Sequence, residues 1–230
     1  MGAESATRHW PPGGDITSVV PLDLLGYPAD EAVLPPLTAA VGSPADLVVG
    51  YFGSIDTTSH IYGPDSAEAI EAYRSVDKKV GQLNEVVSPD WEEWVVVVVS
   101  DHVQDTVEGP GIDLRVLFPD DRAGIVVDEG SAALVSGLAE TERLAEVEGV
   151  AGWRSLGDGS VLAWSDPGRY FGPLTEPVFR GIHGAEHTRT QLALVSGGSP
   201  SKQPLAAEVK RGPVPATYWS GAIEELLGGR

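Results

Sequence analysis

The sequence predicts an α/β domain with a mainly parallel sheet flanked by helices. Residues 47–52 are continuously apolar, and residues 94–99 contain five consecutive valines, as in strands buried on both faces of a parallel sheet. Between them, residues 70–87 carry apolar side chains at three- and four-residue steps, which is typical of an amphipathic helix. Strand, helix and strand in this order indicate a βαβ unit.

The other predicted elements complete this layered arrangement. Further strands are expected near residues 124–127, 161–164 and 191–196, and helices at 139–148 and 222–227. A short helix at 30–34 should be interrupted at Pro35 and Pro36. Residues 54–64 are interpreted as a polar loop, after which Asp65 and Ser66 offer a cap for the long helix.

The domain prediction divides the chain near its start. Residues 1–16, rich in Gly and Pro, are expected to form a flexible arm. Residues 17–230 are expected to form one domain, which is long enough to bury a substantial core.

The composition excludes several classes of protein. A formal net charge of -19 opposes binding to nucleic-acid backbones and to anionic membrane surfaces. Cysteine is absent, so any metal site must use His, Asp and Glu. The first residues contain no apolar signal-peptide region and no run is long enough to span a membrane, so a cytoplasmic location is expected.

Three segments combine histidine with carboxylates or glycine. The first runs from Asp56 to His60, just after the strand at 47–52, and the second is Ser100-Asp101-His102, just after the valine strand. The third is the glycine-flanked loop around His183. Ligands of open α/β sheets bind at the carboxyl ends of the strands, so at least the first two segments should converge. Each segment alone is a weak signal, but three in a fixed order are far more specific.

These segments resemble motifs of one family. Residues 51–64 are similar to the Asp-x-x-Gly-His-x-x-Gly-Pro segment of type I phosphodiesterases/nucleotide pyrophosphatases, in the alkaline phosphatase superfamily. Residues 98–102 resemble that family's Ser-Asp-His-Gly, and residues 181–184 resemble its Gly-x-His-Gly. The likeness runs from about residue 45 to the C-terminus, and it implies an alkaline-phosphatase-like fold.

The resemblance implies a site for two divalent metal ions, and the donor types favour zinc. Asp56, His60 and His183 would hold one ion, and Asp101 and His102 would hold the second. The implied activity is hydrolysis of a small-molecule phosphodiester or phosphate ester.

The family also uses an Asp that ends the first sheet strand and a Thr or Ser nucleophile, both well upstream of the segment at Asp56. The residues before Asp56 contain no strand ending in Asp-Gly. Asp15 and Thr17 follow Pro-Pro-Gly-Gly and are interpreted as part of a turn. We therefore expect the chain to lack the family's N-terminal third, including the nucleophile.

This expectation leaves two classes of function open. The chain is either a metal-dependent hydrolase, active alone or only when completed by a missing segment or a partner chain as in a split enzyme, or a non-catalytic metal- or phosphate-binding domain. His187 is interpreted as an extra ligand, a hydrogen-bond donor behind the ligands, or a solvated loop residue. Asp105 and Asp113 are interpreted as loop carboxylates, and Arg189 as a member of a surface ion pair.

Overall fold

The computed structural model describes residues 8–9, 23–118, 124–174 and 178–228. The helices are α1 (Asp30–Val41), α2 (Ser54–Tyr62), α3 (Ala67–Val87), α4 (Gln203–Arg211) and α5 (Tyr218–Leu226). The strands are β1 (Arg8–His9), β2 (Val48–Val49), β3 (Val96–Val99), β4 (Asp105–Thr106), β5 (Ile125–Glu129), β6 (Ala132–Ser136), β7 (Val150–Ser155), β8 (Ser160–Ser165), β9 (Gly181–Ile182) and β10 (Ala193–Ser196). The α/β class predicted from the sequence is confirmed.

One compact unit consists of Met1–Thr57, Ile70–Asp101 and Gln191–Arg230. In this unit β3 pairs with β10 over four residues, and β1 pairs with β2. Val97 and Val195 lie opposite each other on one face of the β3–β10 ladder. They pack with the buried core of α4 and α5, which includes Leu205 and Trp219.

The second compact unit consists of Thr58–Ala69 and His102–Thr190. Its main sheet has four strands in the order β5-β6-β8-β7. Buried side chains of β6 and β8 pack with those of the surrounding loops, and Leu114 and Leu144 are fully buried in this core. A separate two-residue ladder joins β4 to β9.

The expected mainly parallel sheet is wrong for the strands that the structure describes. Every strand ladder in these residues is antiparallel. The parallel pairing found there is an isolated bridge between Ile112 and Phe171. The valine run is not buried on both faces, since Val99 is 47% exposed. The valines therefore indicate a strand but not its direction, because β-branched residues also favour antiparallel strands.

Three local predictions also need correction. The prolines do not end α1, because Val33, Leu37 and Ala40 are buried along one face of this helix and their packing outweighs the lost backbone hydrogen bonds. Residues 54–62 are helical rather than a loop. The helix expected at 139–148 is a short 3-10 turn at Thr141–Glu146.

Helix α3 begins as predicted, because the Ser66 hydroxyl accepts a hydrogen bond from the N–H of Ala69 (3.0 Å). Its buried side contains an ammonium group. Lys79 is 7% exposed, donates to the Ser75 hydroxyl (2.7 Å) and pairs with Glu31 of α1 (2.9 Å). This pairing lowers the pKa of Glu31.

Two further predictions concern the N-terminal arm and membrane-spanning segments. The arm predicted at residues 1–16 falls outside the described residues except for Arg8 and His9, which form β1. Among the helices that the structure describes, none has both the length and the apolar character needed to cross a membrane.

Candidate metal centre

Helix α2 presents Asp56 and His60 one turn apart. Residues four apart in an α-helix lie on the same face, so the two side chains project in the same direction. The start of the helix is fixed by the buried Asp30, whose carboxylate accepts hydrogen bonds from the backbone N–H of Ser54 (3.3 Å) and from the Ser54 hydroxyl. A side chain 24 residues away therefore caps this helix.

The ring of His60 is oriented by a backbone carbonyl. Its Nδ1 lies 2.7 Å from the carbonyl oxygen of Gly181, so Nδ1 carries the proton and Nε2 is the nitrogen suited to bind a metal. The ring also lies against Phe179, with centroids 5.2 Å apart. The backbone N–H of Arg180 donates to the carbonyl of His60 (2.7 Å) and holds the end of α2 beside β9.

The loop that carries His183 rests on the turn between β5 and β6. The N–H of Ser131 donates to the carbonyl of His183 (2.9 Å), and the Ser131 hydroxyl accepts from the N–H of Ala185 (2.9 Å). Gly130 has a φ of 58°, and a Cβ at this position would lie 2.6 Å from the His183 carbonyl oxygen. Glycine is therefore required where this turn supports the loop. Neither Gly130 nor Ser131 was among the site residues predicted from the sequence.

Asp56, His60 and His183 each contribute one donor atom to a compact group. These atoms all lie within 4.8 Å of one another. Small side-chain adjustments would bring them to one ion, because zinc–nitrogen and zinc–oxygen bonds are about 2.0–2.2 Å long. One carboxylate and two imidazoles form a donor set that suits zinc or another divalent first-row metal. The residues present therefore fit one metal ion.

Asp101 and His102 lie two and three residues after the end of β3, and the structure places them differently from each other. The His102 ring stacks on the His183 ring, with centroids 3.7 Å apart and planes inclined by 20°. Asp101 is exposed. In the ranges that the structure covers, neither residue belongs to a group of three or more possible donors. Their assignment to a second metal ion stays a prediction.

Two tyrosines near the carboxylates were missed by the sequence analysis. The rings of Tyr27 and Tyr51 lie 5.3 Å apart. Burial raises the pKa of Tyr27, and the negative charges of Asp56 and Asp101 raise it further, whereas the hydrogen bond with Tyr51 acts in the opposite direction. Burial, Tyr27 and both carboxylates raise the pKa of Tyr51 as well. The two phenols thus remain neutral near Asp56, to which Tyr27 donates a hydrogen bond.

The remaining candidate residues have simple positions. His187 pairs with Asp105, with Nε2 3.1 Å from the carboxylate oxygen. Arg189 forms the expected surface ion pair, with Glu186 (2.9 Å). Asp15 and Thr17, the rejected upstream candidates, lie outside the described residues.

Comparison with known proteins identifies the family. Residues 10–153, more than half of the chain, match the family model described as "Type I phosphodiesterase / nucleotide pyrophosphatase". The chain belongs to this family. The resemblance inferred from the three histidine segments is therefore confirmed.

The relatives match shorter stretches. Ectonucleotide pyrophosphatase/phosphodiesterase family member 7 from Homo sapiens is 41% identical over 71 residues, which are 30% of this chain and 16% of the human protein. Its counterpart from Mus musculus is 36% identical over 70 residues, with the same coverage of 30% and 16%.

Solved structures of another family member share the fold. Murine ectonucleotide pyrophosphatase/phosphodiesterase 5, as an inactive variant in complex with AMP, matches with a TM-score of 0.58 and 15% identity. The match covers 85% of this chain and 63% of the murine chain. Human ectonucleotide pyrophosphatase/phosphodiesterase 5 matches with a TM-score of 0.56 and 16% identity, and the match covers 85% of this chain and 63% of the human chain. This chain therefore spans less than two thirds of these relatives, and its alkaline-phosphatase-like fold is confirmed.

Proposed function

We propose that this family member binds divalent metal ions, zinc foremost, and hydrolyses phosphodiester or phosphate-ester bonds of small molecules. The observation that carries the proposal is the donor group of Asp56, His60 and His183, whose ligand atoms lie within 4.8 Å of one another. Family membership gives this donor group its functional context.

Each residue of the proposed site has a definite task. Asp56 supplies a carboxylate oxygen, and His60 supplies Nε2 because Gly181 holds the proton on Nδ1. His183 supplies the third donor from a loop fixed by the β5–β6 turn. Asp101 and His102 are proposed to hold a second ion. A bound ion at such a site polarises a phosphoryl oxygen and lowers the pKa of a coordinated water or hydroxyl.

The charge of the chain makes a cationic site necessary. A protein with a net charge of -19 repels anionic phosphate esters at long range. Divalent cations held by Asp56 and the histidines would reverse the field locally. The murine relative's complex with AMP supports a small phosphate ester as the substrate class. We assign no nucleophile to this chain.

Hydrolysis of bis(p-nitrophenyl) phosphate by the purified chain tests the proposal. We expect turnover above that of free zinc after zinc is added to chelator-treated protein, and its loss on renewed chelation. Asp56→Asn and His183→Ala should each weaken zinc binding, measured by calorimetry, and abolish turnover. Asp77→Asn, which alters an exposed carboxylate on α3, is the matched control and should leave both unchanged.

The outcomes separate the two classes of function. Zinc binding that depends on Asp56 and His183, without turnover above free zinc, would reject catalysis by this chain alone and favour the non-catalytic metal-binding alternative. Failure of the wild-type chain to bind zinc would reject both the zinc-dependent hydrolase and the zinc-binding alternative.

A further inference from the structure

The carboxylate of Asp105 joins several segments within one compact unit. Its Oδ2 accepts hydrogen bonds from Nε2 of His187 (3.1 Å) and from the N–H of Gly168 (2.6 Å). Its Oδ1 accepts from the N–H of Thr106 (2.9 Å). The side chains of His187 and Asp105 are 29% and 28% exposed, so the pair is partly shielded from water.

The two segments joined by this pair are those that carry two histidines of the candidate metal centre. Asp105 follows His102 by three residues, and His187 follows His183 by four. The rings of His102 and His183 are stacked with centroids 3.7 Å apart. Their separation therefore depends on how firmly these two segments are held together.

The backbone connections between the segments are short. Strands β4 and β9 pair over two residues each. Beyond this ladder, the N–H of Val103 donates to the carbonyl of Thr188 (3.2 Å). The hydrogen bond between Asp105 and His187 adds a side-chain connection that substitution can remove without deleting a backbone donor or acceptor.

We propose that Asp105 and His187 are a positioning pair. Their hydrogen bond links the segment of His102 to the segment of His183 and fixes the separation of the two imidazoles. The inference rests on the proposed function, since it concerns how firmly the ligands are held for a metal. His187 acts through this contact rather than as a ligand. In the part of the chain that the structure covers, the donor group consists of Asp56, His60 and His183. Groups that orient metal ligands commonly change metal affinity by about 10- to 100-fold when they are removed.

Zinc calorimetry on five variants tests this role. Asp105→Asn places an amide N–H₂ or a single acceptor where two donors converge, and His187→Ala removes the donor, so each should weaken zinc binding by about 10- to 100-fold. His187→Gln keeps an N–H donor near the position of Nε2 and should retain affinity within about threefold of wild type, in line with a rescued hydrogen bond. The double variant Asp105→Asn/His187→Ala should bind zinc no more weakly than the single variant of lower affinity, since both substitutions remove the same hydrogen bond between these side chains. Arg189→Ala, on the same turn, is the control and should bind as wild type does.

A second readout does not require metal. Amide hydrogen exchange of Val103, whose N–H donates to Thr188, should be faster in Asp105→Asn and His187→Ala than in His187→Gln. Exchange rates and zinc affinities that are the same in all variants as in wild type would refute the positioning role of Asp105 and His187. A loss in His187→Gln as large as that in His187→Ala would overturn it in favour of direct ligation. If the wild-type chain binds no zinc, the proposed function fails. The exchange rates alone then decide whether the Asp105–His187 pair holds the two segments together.

Discussion

Replacing Gly181 with alanine should disturb the metal centre through a single methyl group. Gly181 lies where β9 passes the end of α2, and its carbonyl oxygen holds Nδ1 of His60. A Cβ at this position would lie 2.3 Å from the backbone oxygen of Ser59 and 2.5 Å from Oε1 of Gln104. The Gln104 side chain can rotate, but the carbonyl of Ser59 belongs to a helix and cannot move alone.

The structure sets the size of the expected shift. Ordinary contact with a Cβ begins at 3.4 Å and the tightest tolerated contact at 3.0 Å, so Ser59 and residue 181 must separate by 0.7 Å (3.0 − 2.3) to 1.1 Å (3.4 − 2.3). Overpacking of this kind costs about 1–3 kcal/mol of unfolding free energy. A shift of about 1 Å at a ligand can lower turnover by about 100-fold.

Urea unfolding and hydrolysis of bis(p-nitrophenyl) phosphate measure these effects, and zinc calorimetry shows whether the metal ligands are displaced. Gly81→Ala is the matched control, because a Cβ there meets nothing within 4 Å and the residue lies inside α3. The control should be stabilised by about 0.5–1 kcal/mol, since alanine favours a helix over glycine. An unfolding free energy of Gly181→Ala within about 0.5 kcal/mol of wild type, together with unchanged zinc affinity, would show that the methyl group does not disturb the metal centre.

Three further changes have predictable outcomes. Ser59→Ala should leave the unfolding free energy unchanged or raise it by up to about 1 kcal/mol in urea unfolding, since the buried hydroxyl has no hydrogen-bond partner among the described residues; a clear loss would contradict this. The hydrogen bond from Lys79 lowers the pKa of Glu31, so their pairing stabilises the fold above about pH 4.3 and is lost as the pH falls through that lowered pKa. Glu31→Gln should therefore lose less stability than wild type between pH 7 and 3, and an equal loss would exclude this pair as the cause. Tyr27→Phe removes a donor to Asp56 and should weaken zinc binding by about 10-fold in calorimetry, whereas unchanged affinity would show that the phenol does not orient this ligand.

The candidate ligands were predictable, but the local structure that presents them was not. The segment from Asp56 to His60 is polar and glycine-flanked, so local propensity favours a loop. It is helical because Asp30, distant in the sequence, accepts hydrogen bonds from Ser54. A contact of this kind has no signature in a local pattern, and neither has the support of the His183 loop by Gly130.

The sheets show the same division. Strands β5, β8 and β10 follow from their apolar residues, but β7 contains Gly152, which normally weakens a strand. A Cβ at Gly152 would lie 2.5 Å from the ring of Trp164, so this glycine makes room for a cross-strand neighbour. In α3, Ile70 and Tyr73 were expected on the buried stripe, yet they are 43% and 49% exposed. Hydrophobic spacing predicted the helix but not which side of it is covered.

The cap that Asp30 provides has a consequence for when the ligands acquire their spacing. Helix α2 has nine residues, and an isolated helix of this length is not stable in water. The single turn that separates Asp56 from His60 therefore forms only once Asp30 has been brought to Ser54 by the folded chain. A short peptide with the same histidine motif would have the donor atoms without their arrangement, so high-affinity capture of a cation follows folding and does not guide it.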